Sequence, residues 1–92
     1  MELLSDDQIT GKLRELPGWE RDGDAIIRTS VHHDFRGALL YIGAVGYLAE
    51  AANHHPDITI QWNEVTLKLS THSAGGLTAA DFALATQITG LG

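Results

Sequence analysis

The chain has 92 residues, 6 Lys+Arg against 12 Asp+Glu, a formal net charge of −6, and no cysteine. That length supports one domain spanning residues 1–92, and the missing cysteines exclude disulfides, thiolate metal sites and thiol nucleophiles. The acidic balance, with no basic run, excludes direct nucleic-acid binding through clustered phosphate contacts.

The N-terminus, Met1-Glu2-Leu3-Leu4-Ser5-Asp6-Asp7, has neither the basic start nor the apolar run of a secretory signal. No stretch approaches the roughly 20 apolar residues of a membrane span. A soluble, cytoplasmic protein is the expectation. So small a domain buries only about 60% of its unfolded surface, so association into oligomers is the remaining common source of added stability.

In chain order, Ser5 followed by Asp6-Asp7-Gln8 reads as a helix N-cap with acids in the first turn, where the helix dipole favours negative charge. Ile9, Leu13 and Leu16 recur at helical spacing until Pro17-Gly18, which predicts a helix over about residues 5–15. Asp22-Gly23 then marks a hairpin turn between strands at about residues 19–21 and 25–32. From Asp34 the apolar positions Phe35, Ala38, Leu39, Ile42, Val45 and Ala49 form one helical stripe that runs to about Ala52.

Gly37, Gly43 and Gly46 are poor helix formers, and the last two point to close approach of another backbone, within the chain or across a subunit interface. Pro56 biases His55 towards extended geometry and ends the helix before it. Glu50 and His54, four apart, are then expected to share a face at the helix end.

A second hairpin is predicted from residues 58–62 and 65–71 about a turn at Asn63-Glu64, with Val65, Leu67 and Leu69 alternating against Thr66, Lys68 and Ser70. Gly75-Gly76 makes a turn, Thr78 caps a last helix, and Phe82, Leu84, Ala85 and Ile88 form its apolar side. The order αββαββα predicts an α+β fold, an antiparallel sheet with helices packed on one face.

Across these elements runs a set of three imidazoles and two carboxylates: Glu50-x3-His54-His55-Pro56-x5-Trp62-x9-His72-x8-Asp81. Histidine titrates near neutral pH, with an ordinary pKa of about 6.5, so three in one constellation point to proton transfer. Adjacent histidines on an extended segment diverge, and the His-x3-His spacing of helical zinc pairs is absent, so a metal site is not expected. The pair His32-His33 ends a strand outside this set and reads as structural or solvent-exposed. Trp19 and Trp62 have no basic neighbours and read as core or pocket-wall aromatics rather than nucleic-acid stacking platforms.

This spacing, with Leu16-Pro17-Gly18-Trp19 upstream and Ser70-Thr71-His72 then Gly75-Gly76-Leu77 downstream, resembles the pterin-4a-carbinolamine dehydratase family over nearly the whole chain. The resemblance implies a four-stranded antiparallel sheet, no metal or organic cofactor, and assembly as a homodimer or homotetramer. It implies dehydration of 4a-hydroxytetrahydrobiopterin, or a related 4a-hydroxytetrahydropterin, to the quinonoid dihydropterin, in recycling of the pterin that aromatic amino acid hydroxylases use. By matching position it assigns His54, His55 and His72 to the histidine site, Glu50 and Asp81 as acidic partners, and Trp62 to an aromatic position beside the pocket. Trp62 stands where many relatives have tyrosine and Ala74 where some have cysteine.

An elimination of water needs an acid and a base working near neutral pH and no nucleophile, which histidines supply. His54 and His72 are the expected acid/base pair, arriving from a helix end and a strand end. His55 is expected to orient the pterin, Glu50 to hydrogen-bond His54, and Asp81 to support a histidine. Backbone groups around Ser70, Thr71 and Ser73 are expected to pair with the pterin's amide edge. The rival from another class is a dehydratase-like scaffold serving as an assembly chaperone or transcriptional coactivator. Loss of site residues would favour it, and none is lost.

Overall fold

A computed structural model describes residues 2–92. Its elements are α1 (Asp6–Leu13), β1 (Trp19–Asp22), β2 (Ala25–Val31), α2 (Phe35–Ala52), β3 (Asp57–Gln61), β4 (Glu64–Leu69), a 3-10 turn at His72–Ala74, and α3 (Ala79–Thr89). The four strands form one antiparallel sheet in the order β1-β2-β4-β3. The predicted αββαββα order is therefore the observed one. The central β2–β4 ladder joins the two hairpins across the intervening helix.

Strand alternation divides the sheet into two faces. Ile26, Val65, Leu67 and Leu69 face the helices and are fully buried with Ala38, Val45 and Ala49 of α2 and Phe82, Leu84, Ala85 and Ile88 of α3. The opposite face carries the row Thr29, Thr66 and Thr59. The Thr29 and Thr66 hydroxyls lie 3.2 Å apart. Trp19 is core, and its indole Nε1–H donates to Thr89 Oγ1 at 3.0 Å, tying β1 to the end of α3.

Each helix start is capped as its residues dictate. Ser5 and Gln8 exchange the two bonds of a capping box on α1, Asp34 accepts from the Gly37 amide at 2.7 Å on α2, and Thr78 caps α3. The turn of the second hairpin falls at Trp62-Asn63, one residue earlier than expected, because Gln61 pairs with Glu64. Trp62 then takes a left-handed φ of 51°, a conformation that sequence propensity assigns to Gly or Asn rather than to a bulky residue. β4 ends at Leu69, so His72 lies in the 3-10 turn beyond the strand rather than at its end. A β-carbon at Gly43 or Gly46 would meet nothing within 4 Å, so neither glycine serves a close approach within the chain. Among the described residues no helix is long and apolar enough to cross a membrane.

Candidate functional site

The site is built around the end of α2. Asn53 takes the left-handed conformation (φ 49°), the Asn53 amide donates to the Glu50 carbonyl, and the His54 amide donates to the Ala49 carbonyl, both at 3.1 Å. This is the paired-bond helix stop in which a left-handed residue turns the chain away from the helix axis. His54 is thereby carried off the helical face it would share with Glu50. Its ring turns inward to Asp81 instead, with Nε2 2.5 Å from Oδ1. Glu50 is taken up by the next residue, His55, with Nε2 2.8 Å from Oε1 on the surface. The expected Glu50–His54 bond is thus replaced by two pairs, His54–Asp81 and His55–Glu50.

The cap conformation gives a direct test. Asn53→Ala forces a β-carbon residue without asparagine's local hydrogen bonding into the left-handed region and should lower stability by about 1 kcal/mol. Asn53→Gly should equal or exceed the parent, by up to about 1 kcal/mol. Urea unfolding of the two variants checks the sign of each.

Asp81 is fully buried. A buried carboxylate must be surrounded by donors, and this one is. Oδ1 accepts from His54, while Oδ2 accepts from the Thr71 hydroxyl and from the Thr78 amide, both at 2.9 Å. Asp81 is also the third residue of α3, closing a capping box with Thr78 at the positive end of the helix dipole. One side chain therefore stops α3 from fraying, anchors the segment after β4, and holds a histidine.

Because a carboxylate only accepts, both His54 and His55 donate through Nε2–H. The neutral imidazole then presents an unprotonated Nδ1, fixed in orientation by the carboxylate behind it. His54's side chain is 15% exposed, so its ring is mostly sheltered with one edge reaching solvent. His72 follows Thr71 directly. It is exposed and makes no side-chain hydrogen bond among the described residues. Thr71 binds Asp81, Asp81 binds His54, and that short relay brings the end of α2 and the His72 turn to one locus.

The turn is closed by backbone bonds onto the Thr71 carbonyl from Ala74 and Gly75, both at 3.0 Å, and by the left-handed Gly75 (φ 78°). Ser70 and Thr71 have their hydroxyls committed elsewhere, Ser70 to the Asp24 carbonyl at 2.9 Å and Thr71 to Thr78 and Asp81. A role for them in binding falls to the backbone. Ser73 is exposed in the same turn.

Trp62 is not brought to this locus within the chain. It sits at the far end of the β3–β4 hairpin, on the order of 20 Å along the sheet from the end of β4 at about 3.3 Å per strand residue. His32, of the second histidine pair, is structural. Its amide donates to the Asn63 carbonyl and its carbonyl accepts from Asn63 Nδ2, both at 2.8 Å, and its ring packs 4.5 Å from Tyr41. His33 is exposed. Among the described residues no three His, Cys, Asp or Glu side chains gather as a group able to hold a metal ion. A depression of about 340 Å³ between α1 and α3, lined by Lys12, Leu16, Phe82 and Thr86 among others, includes none of the site residues.

Sequence reasoning missed Thr71 and Thr78 as supports of the carboxylate. The capping-box spacing Thr78-x2-Asp81 was the available signal for one of them.

Comparison with known proteins gives the following. A family profile described as pterin 4 alpha carbinolamine dehydratase matches residues 2–91. A protein of Thermomicrobium roseum, provisionally named a pterin-4-alpha-carbinolamine dehydratase, is 52% identical over 91 residues, covering 99% of this chain and 98% of that protein. One from Nocardia farcinica with the same provisional name is 54% identical over 87 residues, covering 95% and 92%. Among solved structures, a transcriptional coactivator/pterin dehydratase from Brucella melitensis superposes with a TM-score of 0.94 at 29% identity, covering 98% of each chain. A pterin dehydratase-like RuBisCO assembly factor of the alpha-carboxysome shares the fold, with a TM-score of 0.64 at 18% identity over 79% of this chain and 84% of that one.

Proposed function

The chain belongs to the pterin 4 alpha carbinolamine dehydratase family, and from that premise we propose that residues 1–92 form one catalytic unit, a hydro-lyase that removes water from a 4a-hydroxytetrahydropterin. The observation that carries this reading is the His54–Asp81–Thr71 relay, a sheltered imidazole held in one tautomer by a buried carboxylate that is anchored in turn by Thr71, the residue before the exposed His72.

In the proposed reaction one group protonates the 4a hydroxyl, the C4a–O bond breaks, and water departs. A second group accepts a proton from a ring nitrogen as the carbon–nitrogen double bond of the quinonoid dihydropterin forms. His54 is the base, through Nδ1, because Asp81 fixes the proton on Nε2 and stabilises the imidazolium that results. His72, free of internal bonds, delivers the proton to the leaving hydroxyl. His55, tethered by Glu50 at the mouth, orients the ring, and the backbone of residues 70–73 faces the pterin's amide edge. This chemistry calls on no metal or organic cofactor.

Recycling of tetrahydrobiopterin in the cytoplasm is the setting that fits such an activity. Two measurements test the reading together: calorimetric binding of a dihydropterin, and acceleration of quinonoid dihydropterin formation from the freshly generated carbinolamine. Binding without acceleration would transfer the chain to the non-catalytic class of assembly chaperone or coactivator.

The same proposal includes a homodimer or homotetramer. Leu40, Gly43 and Tyr47 form an outward stripe on α2, with Leu40 70% and Tyr47 77% exposed. Apolar side chains flanking an open glycine suit helix-to-helix packing between copies. Light scattering at micromolar concentration should give a multiple of 9.9 kDa. A monomer mass would sink it.

A further inference from the structure

We propose that the depression between α1 and α3 is a binding site for a free α-amino acid with an apolar side chain, held as its zwitterion. Its volume of about 340 Å³ lies within the range of small-molecule pockets. Leu16, at the end of the α1 segment, and Phe82, on α3, both line it and are both nearly fully buried. They give the groove an apolar floor. Ala79 and Ala83 stand one turn apart on the exposed side of α3, where side chains this short leave room that a longer residue would fill.

Two charges of opposite sign stand over that floor. Lys12 and Glu15 both line the groove, and neither forms a salt bridge among the described residues. The Glu15 amide donates to the Lys12 carbonyl at 3.1 Å, a tight turn of the kind that brings side chains three apart to one side. The Lys12 ammonium lies 6.0 Å from the centroid of the Phe82 ring, so the positive charge sits directly above the apolar surface.

This pattern selects its ligand by charge. A simple carboxylate is drawn to Lys12 and repelled by Glu15, and a simple amine meets the reverse. A molecule with both charges on one carbon and an apolar tail satisfies all three: its carboxylate meets Lys12, its ammonium meets Glu15, and its tail covers Phe82 and Leu16. The Thr86 hydroxyl donates its proton to the Phe82 carbonyl at 2.8 Å, so it supplies no competing donor. The two charges therefore set the specificity.

The groove is separate from the histidine site. Asp81 and Phe82 are neighbours on α3, but Asp81 turns to His54 while Phe82 turns to the groove. No residue of α2 lines it, so assembly through the Leu40 and Tyr47 stripe leaves it open. The proposal accordingly does not rest on the pterin reading.

Titration of the wild-type chain with L-leucine and with L-phenylalanine, followed by amide NMR shifts, tests it. Shifts are expected at residues 12–16 and 79–86, saturating with a Kd on the order of 1 mM, as suits a ligand of so few atoms. N-acetyl-L-phenylalanine lacks the ammonium and L-phenylalanine amide lacks the carboxylate, and each should bind about fivefold more weakly. Lys12→Gln should remove the preference for the free acid over the amide, and Glu15→Gln the preference for the free amine over the acetylated form. Ala83→Leu fills the groove at an exposed helix position without disturbing the fold, and should abolish the shifts while pterin turnover stays at the parent level. No shift at these residues up to about 10 mM ligand overturns the site. Shifts centred on His54 and His72, or binding that survives Ala83→Leu, overturn its placement, and equal binding of the two blocked analogues overturns recognition of the zwitterion.

Discussion

Asp81→Ala should cost about 2–4 kcal/mol in stability, because it strands the buried Thr78 amide, takes the His54 ring N–H from its acceptor, and removes one of the two partners of the Thr71 hydroxyl. Set against the roughly 5–15 kcal/mol of a typical domain, that is enough to bring a chain this small close to unfolding. Asp81→Asn is the more informative variant. Its amide keeps the volume and one acceptor, which Thr71 and the Thr78 amide can still use. The –NH₂ then faces His54 Nε2, and two donors cannot meet. The imidazole relieves the clash by moving its proton to Nδ1, so the nitrogen that should act as base becomes a donor.

Stability should therefore fall by only about 1–2 kcal/mol. Turnover should fall by roughly 10²–10³, within the range that general acid–base catalysis supplies. Urea unfolding and pterin turnover, measured on the same preparations, separate the two effects. Near wild-type turnover in Asp81→Asn would show that the carboxylate only builds the fold.

The elements were legible because local chemistry dictated them: Ser5 and Thr78 as caps, Asp22-Gly23 as a turn, and the alternation of Val65, Leu67 and Leu69. At the candidate site, the pairing of the residues was not legible. His54 and Asp81 are 27 positions apart, and no spacing rule joins them. Their pairing depends on a single left-handed residue, Asn53, that removes His54 from the helical face on which an i,i+4 rule would put it beside Glu50. Asparagine at a helix end is a signal for that turn, and here it outweighs the rule. Trp62 shows the converse failure. Propensity sets a tryptophan against a left-handed turn, so the hairpin reads one residue late, and the conflict between propensity and structure marks the residue whose placement function has to explain.

The histidines should separate by what each loses on replacement. His54→Ala removes a donor from the buried Asp81 and should lower both stability, by about 1–3 kcal/mol, and turnover, by roughly 10²–10⁴. A loss of activity there has two explanations. His54→Gln distinguishes them, since its side-chain amide can still donate to Asp81 while offering no base, so stability should largely return without turnover. His72 has no such entanglement. It is exposed and without internal side-chain bonds among the described residues, so His72→Ala should unfold within about 0.5 kcal/mol of the parent. Its turnover should nevertheless fall by roughly 10²–10⁴, the range expected on removing the group that protonates the leaving hydroxyl. His55→Ala should act mainly on KM, as expected for a group that orients the ring without exchanging its protons. A stable His72→Ala with wild-type kcat would remove His72 from the chemistry and leave the His54–Asp81 pair to act as both acid and base.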